Sequence, residues 1–137
     1  MVNQQETGAA FFVATDGDDG WSGSLAEPNA ERTDGPFATL ARARDAVREM
    51  KGADNLNEPV SVMVRGGKYY LEDPLVLGPR DSGTRDCPVT YTAYPDEKPV
   101  LSGGRKVSGW KPYKDKILQC PLPGTKGGKW KFRQLFL

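Results

Sequence analysis

Apolar residues along this chain recur in short runs that glycine, proline or aspartate interrupts. A short apolar or alternating run with such boundaries predicts a β-strand. Runs of this kind lie at residues 11–15, 60–64, 69–71, 75–77, 89–93, 100–102 and 106–110. The pattern therefore predicts a mostly β protein built from short strands.

One segment, PFATLARARDAVREM, has the periodicity of a helix instead. Its apolar side chains recur at steps of three or four residues and so share one helical face. These residues are Phe37, Leu40, Ala43, Val47 and Met50. Pro36 suits a first helical turn and Gly52 suits a helix end. The spacing predicts one amphipathic helix at about residues 37–51, whose apolar face covers other apolar residues.

Parts of the chain also resemble each other. EPVSV from Glu58 matches CPVTY from Cys87 at an offset of 29 residues, and PLVLGPR from Pro74 matches PVLSGGR from Pro99 at an offset of 25. A unit of this size cannot bury its own apolar face, so it must stack on a neighbour. We therefore predict the coils of a parallel β-solenoid with the helix as its cap. The alternative is a small β-sandwich, in which the strands pair antiparallel.

The length of 137 residues suits one domain with a core and is too short for two ordinary domains. Residues 1–10 are polar, and we expect them to be disordered. Residues 11–137 form the predicted domain: strand, loop and capping helix at 11–52, first coils at 53–110, and a linker with a terminal strand at 111–137. The apolar, strand-like end WKFRQLFL predicts a fragment of a longer chain.

Charge and composition exclude several classes of protein. The 19 basic and 18 acidic side chains leave no net field to attract nucleic acid or an anionic membrane. Histidine is absent, which excludes histidine-dependent nucleophiles and histidine-ligated zinc. Cys87 and Cys120 lie in no metal-binding spacing, and whether they pair stays open. No apolar run reaches transmembrane length, and the first residues lack the features of a signal peptide.

The loop DGDDGWSG, which follows the first predicted strand, is the candidate metal site. Asp16, Asp18 and Asp19 bring three carboxylates together, and calcium prefers oxygen ligands. Numbered as a calcium loop from Asp16, however, the segment has Trp21 where the sharp turn requires glycine. Aspartate and glycine are also the residues of a turn that ends a strand. We favour the turn, with calcium as the alternative, and expect no other cofactor.

Aromatic residues are the candidate carbohydrate-binding side chains. Trp21, Trp110 and Tyr113 have rings that could stack on sugars, although aromatic rings beside glycines more often pack over loops. Catalytic residues stay unassigned, because the paired carboxylates of a glycoside hydrolase must be close in space and the spacing pairs none of them.

The order of these pieces resembles the N-terminal region of right-handed parallel β-helix proteins of the pectate-lyase-like group. In that group a strand ending in a Gly/Asp loop leads to a P-F-x-T-L helix start and then to a strand closed by G-G-x-Y. The matching pieces here are FFVATDGDDGWSG, PFATL and GGKYY, and the likeness covers about residues 11–110. The resemblance implies a right-handed parallel β-helix and a secreted or periplasmic full-length protein that acts on polysaccharides, as a glycoside hydrolase or a polysaccharide lyase.

The chain departs from this group in length. Such proteins stack many coils, and their catalytic residues and any calcium ligands lie on central coils. The resemblance therefore implies an N-terminal cap with the first coils, not catalytic by itself. Its expected partners are a glycan and the remaining coils of its own full-length chain, with no nucleic acid and no membrane span. The alternative is a non-enzymatic carbohydrate-binding or adhesion β-helix module.

Overall fold

The described part of the chain contains short strands and one α-helix, connected by loops and turns. The computed structural model describes residues 10–52 and 56–135. The strands are β1 (Ala10–Val13), β2 (Val60–Val64), β3 (Gly67–Tyr70), β4 (Val89–Ala93), β5 (Pro99–Ser102), β6 (Lys111–Lys114) and β7 (Ile117–Gln119), and the helix is α1 (Leu40–Lys51). The chain forms two units, residues 1–104 and residues 105–137. The segment expected to be disordered, 1–10, lies outside the described residues except for Ala10.

The largest sheet of the first unit is parallel. Strand β2 lies between β1 and β4, and it pairs in parallel with both. Val60 lies opposite Val89 and Ser61 lies opposite Thr90. This register has the offset of 29 residues that the repeat predicted, so the first match is confirmed as a strand pairing. The antiparallel pairing that the sandwich alternative requires is not the pairing of these strands.

A second parallel pair corrects the other predicted match. Strand β3 pairs with β5, and Gly67 lies opposite Pro99. The match from Pro74 is therefore wrong as a strand pairing, because residues 75–77, which the sequence predicted as a strand, form no strand in the structure. Pro74 has no N–H to donate to a ladder, and most of this short run remains exposed.

The predicted strand at 106–110 is also absent from the structure. Gly109 has a φ of 81°, which leaves the extended region that a strand requires. The indole N–H of Trp110 donates to the carbonyl oxygen of Val107 at 3.2 Å, so the segment bends back on itself.

The core of the first unit lies against one face of β2. Val60, Val62 and Val64 alternate with half-buried residues along this strand and are themselves buried. In the neighbouring strand β4, Val89 and Tyr91 occupy the matching positions and are only half-buried. Burial is therefore greatest where a strand has a parallel neighbour on both sides.

The helix begins later than predicted, at Leu40 instead of residue 37. The Phe37 N–H donates to the Phe12 carbonyl at 2.9 Å, and the Phe37 carbonyl accepts from Ala14 N at 2.9 Å. Because Phe12 in β1 and Ala14 just after it bind both of these backbone groups, Phe37 is extended, and its buried ring joins the core. Thr39 caps the helix instead of an earlier residue.

The apolar face and the C-terminal end of α1 agree with the sequence. Leu40, Ala43 and Val47 are buried in the same cluster as the strand residues, whereas Met50 at the last turn is exposed. Gly52 ends the helix with a φ of 49°, and its N–H donates to the Arg48 carbonyl. In the described residues, no helix has both the length and the apolar character needed to cross a bilayer.

The second unit contains an antiparallel hairpin where the sequence predicted a linker. Strands β6 and β7 pair with Lys111 opposite Gln119, and every side chain of both strands is exposed. Residues 130–135 form no strand, so the predicted terminal strand is wrong for the described part of that segment. The Trp130 ring packs instead against Phe132, with 5.5 Å between the ring centroids.

An ion pair joins the helix to a 3₁₀ turn at Pro79–Asp81. Arg48 donates from Nε to Asp81 Oδ1 at 2.6 Å and from Nη2 to Oδ2 at 2.8 Å. The Gly78 N–H donates to the same carboxylate at 2.7 Å, and this side chain is 4% exposed. These hydrogen bonds, from Arg48 above all, lower the pKa of Asp81 to about 2.

We expect Asp81→Asn to lower the melting temperature by about 5 °C or more, because the amide cannot accept both Arg48 hydrogen bonds and leaves this cation poorly paired. Circular dichroism during heating measures the effect. Asp86→Asn is the matched control, since Asp86 is exposed in the following turn. Equal melting temperatures for Asp81→Asn and wild type would show that the ion pair does not hold the helix in place.

The same pair predicts a pH dependence. A carboxyl whose pKa is lower in the folded state stabilises the fold above its unfolded pKa, and this stability is lost as the pH falls through the folded value. The contribution of Asp81 is therefore complete above about pH 4 and lost toward pH 2, given its pKa of about 2. Denaturant titrations should show the difference between wild type and Asp81→Asn shrinking over this range.

Candidate functional site

A polar cleft lies where the strands of the first sheet end. Because β1, β2 and β4 are parallel, the residues that follow them meet at one edge of the sheet. Those residues include Asp16 after β1, Arg65 after β2 and Glu97 after β4, and residues of the loop 26–32 also line the cleft. The cleft has a volume of about 660 Å³. This volume is within the range of small-molecule sites.

Arg65, which lines this cleft, connects three segments of the chain. It donates from Nε to Glu97 Oε2 at 2.9 Å and from Nη2 to Glu97 Oε1 at 2.8 Å. Its Nη1 donates to the carbonyl oxygen of Ala26 at 2.6 Å. The guanidinium carbon also lies 4.5 Å from the centroid of the Tyr94 ring. The planar fork of arginine is needed to reach these partners together.

Two groups that contact Arg65, Glu97 and Tyr69, keep one protonation state at neutral pH. Hydrogen bonds from Arg65 and from the Gly66 N–H lower the pKa of Glu97, so it stays a carboxylate at neutral pH. Burial raises the pKa of Tyr69 to about 12, so its hydroxyl stays protonated and donates to the Arg65 carbonyl at 2.8 Å. Both groups are suited to holding the backbone around the cleft.

The rim of the cleft is polar and open to solvent. Asp16, Glu27 and Arg32 are exposed there. Asn29 shapes the adjoining loop, since its Nδ2 donates to Thr33 Oγ1 at 2.9 Å and its Oδ1 accepts from Thr33 N at 2.8 Å. Carboxylate oxygens and guanidinium N–H groups on a shaped loop can hydrogen-bond a ligand that is rich in hydroxyl groups.

The three aspartates of the candidate metal loop have different roles in the structure. Asp16 lies on the cleft rim, and Asp18 accepts from Gly20 N at 2.7 Å in a turn of its own. Asp19 is directed to the helix start. Among the described residues, no three acidic or cysteine side chains come together as a metal-ligand group. The geometry of Asp18 agrees with the turn interpretation.

Asp19 anchors the N-terminal end of α1. Its Oδ1 accepts from Ala38 N at 2.9 Å and from Thr39 N at 2.8 Å, and its Oδ2 accepts from the Thr39 hydroxyl at 2.8 Å. An anionic group is favourable at a helix N-terminus, where backbone N–H groups lack helical partners. The sequence reasoning missed this role, because about twenty residues separate the aspartate from the helix that it stabilises and no local spacing marks the contact.

The candidate carbohydrate-binding aromatics lie in different units. Trp21 is half-buried in the first unit, and its ring covers Gly35, where a Cβ atom would collide with it. Packing therefore accounts for its position. Trp110 and Tyr113 belong to the second unit and are 42% and 67% exposed. Their rings are accessible to a ligand.

Comparison with solved structures shows similarity to part of a much longer chain. A chain named "Glycoside hydrolase" aligns over 77% of this chain with 32% sequence identity and a TM-score of 0.66. This chain spans 17% of the length of that structure. No protein-family model matches the chain, and no curated protein matches it.

We expect Asp19→Ala to lower the free energy of unfolding by about 1 kcal/mol or more, because the hydrogen bonds that hold Ala38 and the N-cap residue Thr39 are lost. Urea titration of the variant and of Asp16→Ala, the matched loop control, measures the difference.

Added calcium should leave the wild-type melting temperature unchanged. A calcium-dependent rise that Asp18→Asn abolishes would instead support a metal site in this loop.

We expect Arg65→Gln to loosen the loop that contains Ala26, because the amide cannot reach Glu97 and the Ala26 carbonyl together. Hydrogen exchange of the amides in residues 24–35 should become faster by about tenfold or more. Arg65→Lys keeps the charge without the fork and should behave in the same way. Arg85→Gln, at an exposed position, is the control, and unchanged exchange in both Arg65 variants would contradict the role.

Proposed function

We propose that this chain forms the N-terminal cap and first coils of a right-handed parallel β-helix in a carbohydrate-active protein. The observation that carries the proposal is the parallel pairing of β2 with both β1 and β4, at the 29-residue offset of the repeat on the β4 side. Right-handed connection is the rule for parallel strands joined by a crossover. The amphipathic helix packs on the same core, which supports its proposed role as the N-terminal cap.

The similarity to a protein named glycoside hydrolase supports carbohydrate as the class of ligand. The 32% identity extends over 77% of this chain, so the likeness includes side chains as well as backbone course. Since the chain spans 17% of that structure, we propose hydrolase or polysaccharide lyase activity for a longer protein and a secreted or periplasmic location for it.

We propose that this chain binds glycan without cleaving it. Of the carboxylates that line the cleft, Glu97 accepts hydrogen bonds from Arg65 and from the Gly66 N–H, and its lowered pKa does not suit it to the role of a general acid. The exposed rim residues Asp16 and Arg32 offer hydrogen-bond partners to sugar hydroxyls. This combination supports a subsite that positions a polysaccharide.

The second candidate function is a non-enzymatic carbohydrate-binding or adhesion module. The exposure of Trp110 and Tyr113 favours it, because accessible rings stack on sugars without any chemistry. The two candidates differ in the longer protein, which cleaves glycan in the first and only binds it in the second. Product release by the longer protein therefore distinguishes them.

Affinity electrophoresis of the 137-residue chain in gels that contain neutral polysaccharides tests the proposed function. We expect retardation by at least one of xylan, galactan and mannan, with no release of reducing sugar or unsaturated product. Asp16→Asn combined with Arg32→Gln should reduce the retardation, because both side chains line the cleft. Asp73→Asn combined with Arg85→Gln is the matched control, since both side chains are exposed and neither lines the cleft.

Two outcomes would contradict the proposal. Migration that no neutral glycan changes would remove the support for a binding cleft. Release of product by the chain would show that the chain is itself catalytic.

A further inference from the structure

The two units carry opposite charges, although the whole chain is nearly neutral. Residues 105–137 contain nine basic side chains and one acidic side chain, a formal charge of +8. Residues 1–104 contain ten basic and seventeen acidic side chains, a formal charge of −7. A charge of this size on a short unit creates a field that attracts polyanions.

The basic side chains of the two units also differ in their partners. All the ion pairs found in the described residues lie in the first unit, where Arg42, Arg44, Arg48 and Arg65 bind carboxylates. In residues 105–135 no Lys or Arg lies in an ion pair with a described carboxylate. The positive charge of the second unit is therefore available to a ligand.

Exposed aromatic rings alternate with these cations. Trp110 precedes Lys111, and Tyr113 precedes Lys114, with all four side chains exposed on or beside the hairpin. Phe132 is exposed as well and lies between two basic residues in the sequence. A surface of this kind offers ring faces for stacking together with ammonium groups for acidic substituents.

We propose that the second unit binds anionic polysaccharides through the hairpin, with the lysines pairing with carboxylate or sulfate groups and Trp110 and Tyr113 stacking on sugar rings. The choice of polysaccharide rests on the proposed function.

Affinity electrophoresis with polygalacturonate and with dextran sulfate tests this inference on the full chain, and uncharged galactan serves as the neutral comparison. The hairpin variant replaces lysines of β6 and the following turn with glutamine. Its substitutions are Lys111→Gln, Lys114→Gln and Lys116→Gln. The control variant removes the same charge from exposed positions of the first unit. Its substitutions are Lys68→Gln, Arg80→Gln and Arg85→Gln.

We expect the hairpin variant to bind both acidic polysaccharides about tenfold more weakly at low salt, since each lost contact weakens binding and reduces its salt dependence. The control variant should change binding by less than about twofold. Tyr113→Ala should weaken binding to polygalacturonate without changing the salt dependence. Equal melting temperatures for all variants would show that folding is not the cause.

Three results would overturn the inference. The first is equal binding of acidic polysaccharides by the hairpin and control variants. The second is tighter binding of a DNA duplex than of either polysaccharide. The third is salt-dependent dimerisation in analytical ultracentrifugation without polysaccharide binding, which would indicate that the opposite charges join two copies. The cleft variants Asp16→Asn and Arg32→Gln report on the proposed function separately, because they change the first unit and neutral glycan binding.

Discussion

The parallel pairing of β2 with a strand on each side is the constraint on which the first unit depends. Val60, Val62 and Val64 are buried because β1 and β4 flank their strand and α1 covers it. Once these strands are parallel, their carboxyl ends must meet at one edge. The cleft lies at that edge, so the position of the candidate site follows from the same ladder that forms the core.

Arginine–carboxylate contacts then fix the loops around this ladder. The pair of Arg48 and Asp81 ties the helix to a turn after β3, and the pair of Arg65 and Glu97 ties the strand ends to the long first loop. Each pair also accepts or donates backbone hydrogen bonds, which compensates for the cost of removing charged groups from water. The result is a shaped polar surface whose ionised groups stay ionised at neutral pH, and such a surface is suited to binding.

The separation of charge between the units changes the expected partners. Over the whole chain, 19 basic and 18 acidic side chains nearly cancel, and this balance predicted no electrostatic binding. The chain divides near residue 104 into a negative unit and a positive unit, and the near-neutral total is the sum of their opposite charges. Because screening limits the range of electrostatic attraction to about 10 Å, a ligand responds to the local charge and not to the sum.

The sequence by itself determined the strands at 60–64 and 89–93, their relative offset, and the end of the helix at Gly52, because local periodicity and a single glycine specify such features. Tertiary structure decided the features that depend on distant partners. Phe37 has the spacing of a helical residue, yet its backbone forms hydrogen bonds with the first strand segment. Asp19 lies in a loop whose composition resembles that of a metal site, yet it binds the start of a helix about twenty residues away. These contacts are set by how the chain packs, and the spacing of residues along it carries no information about them.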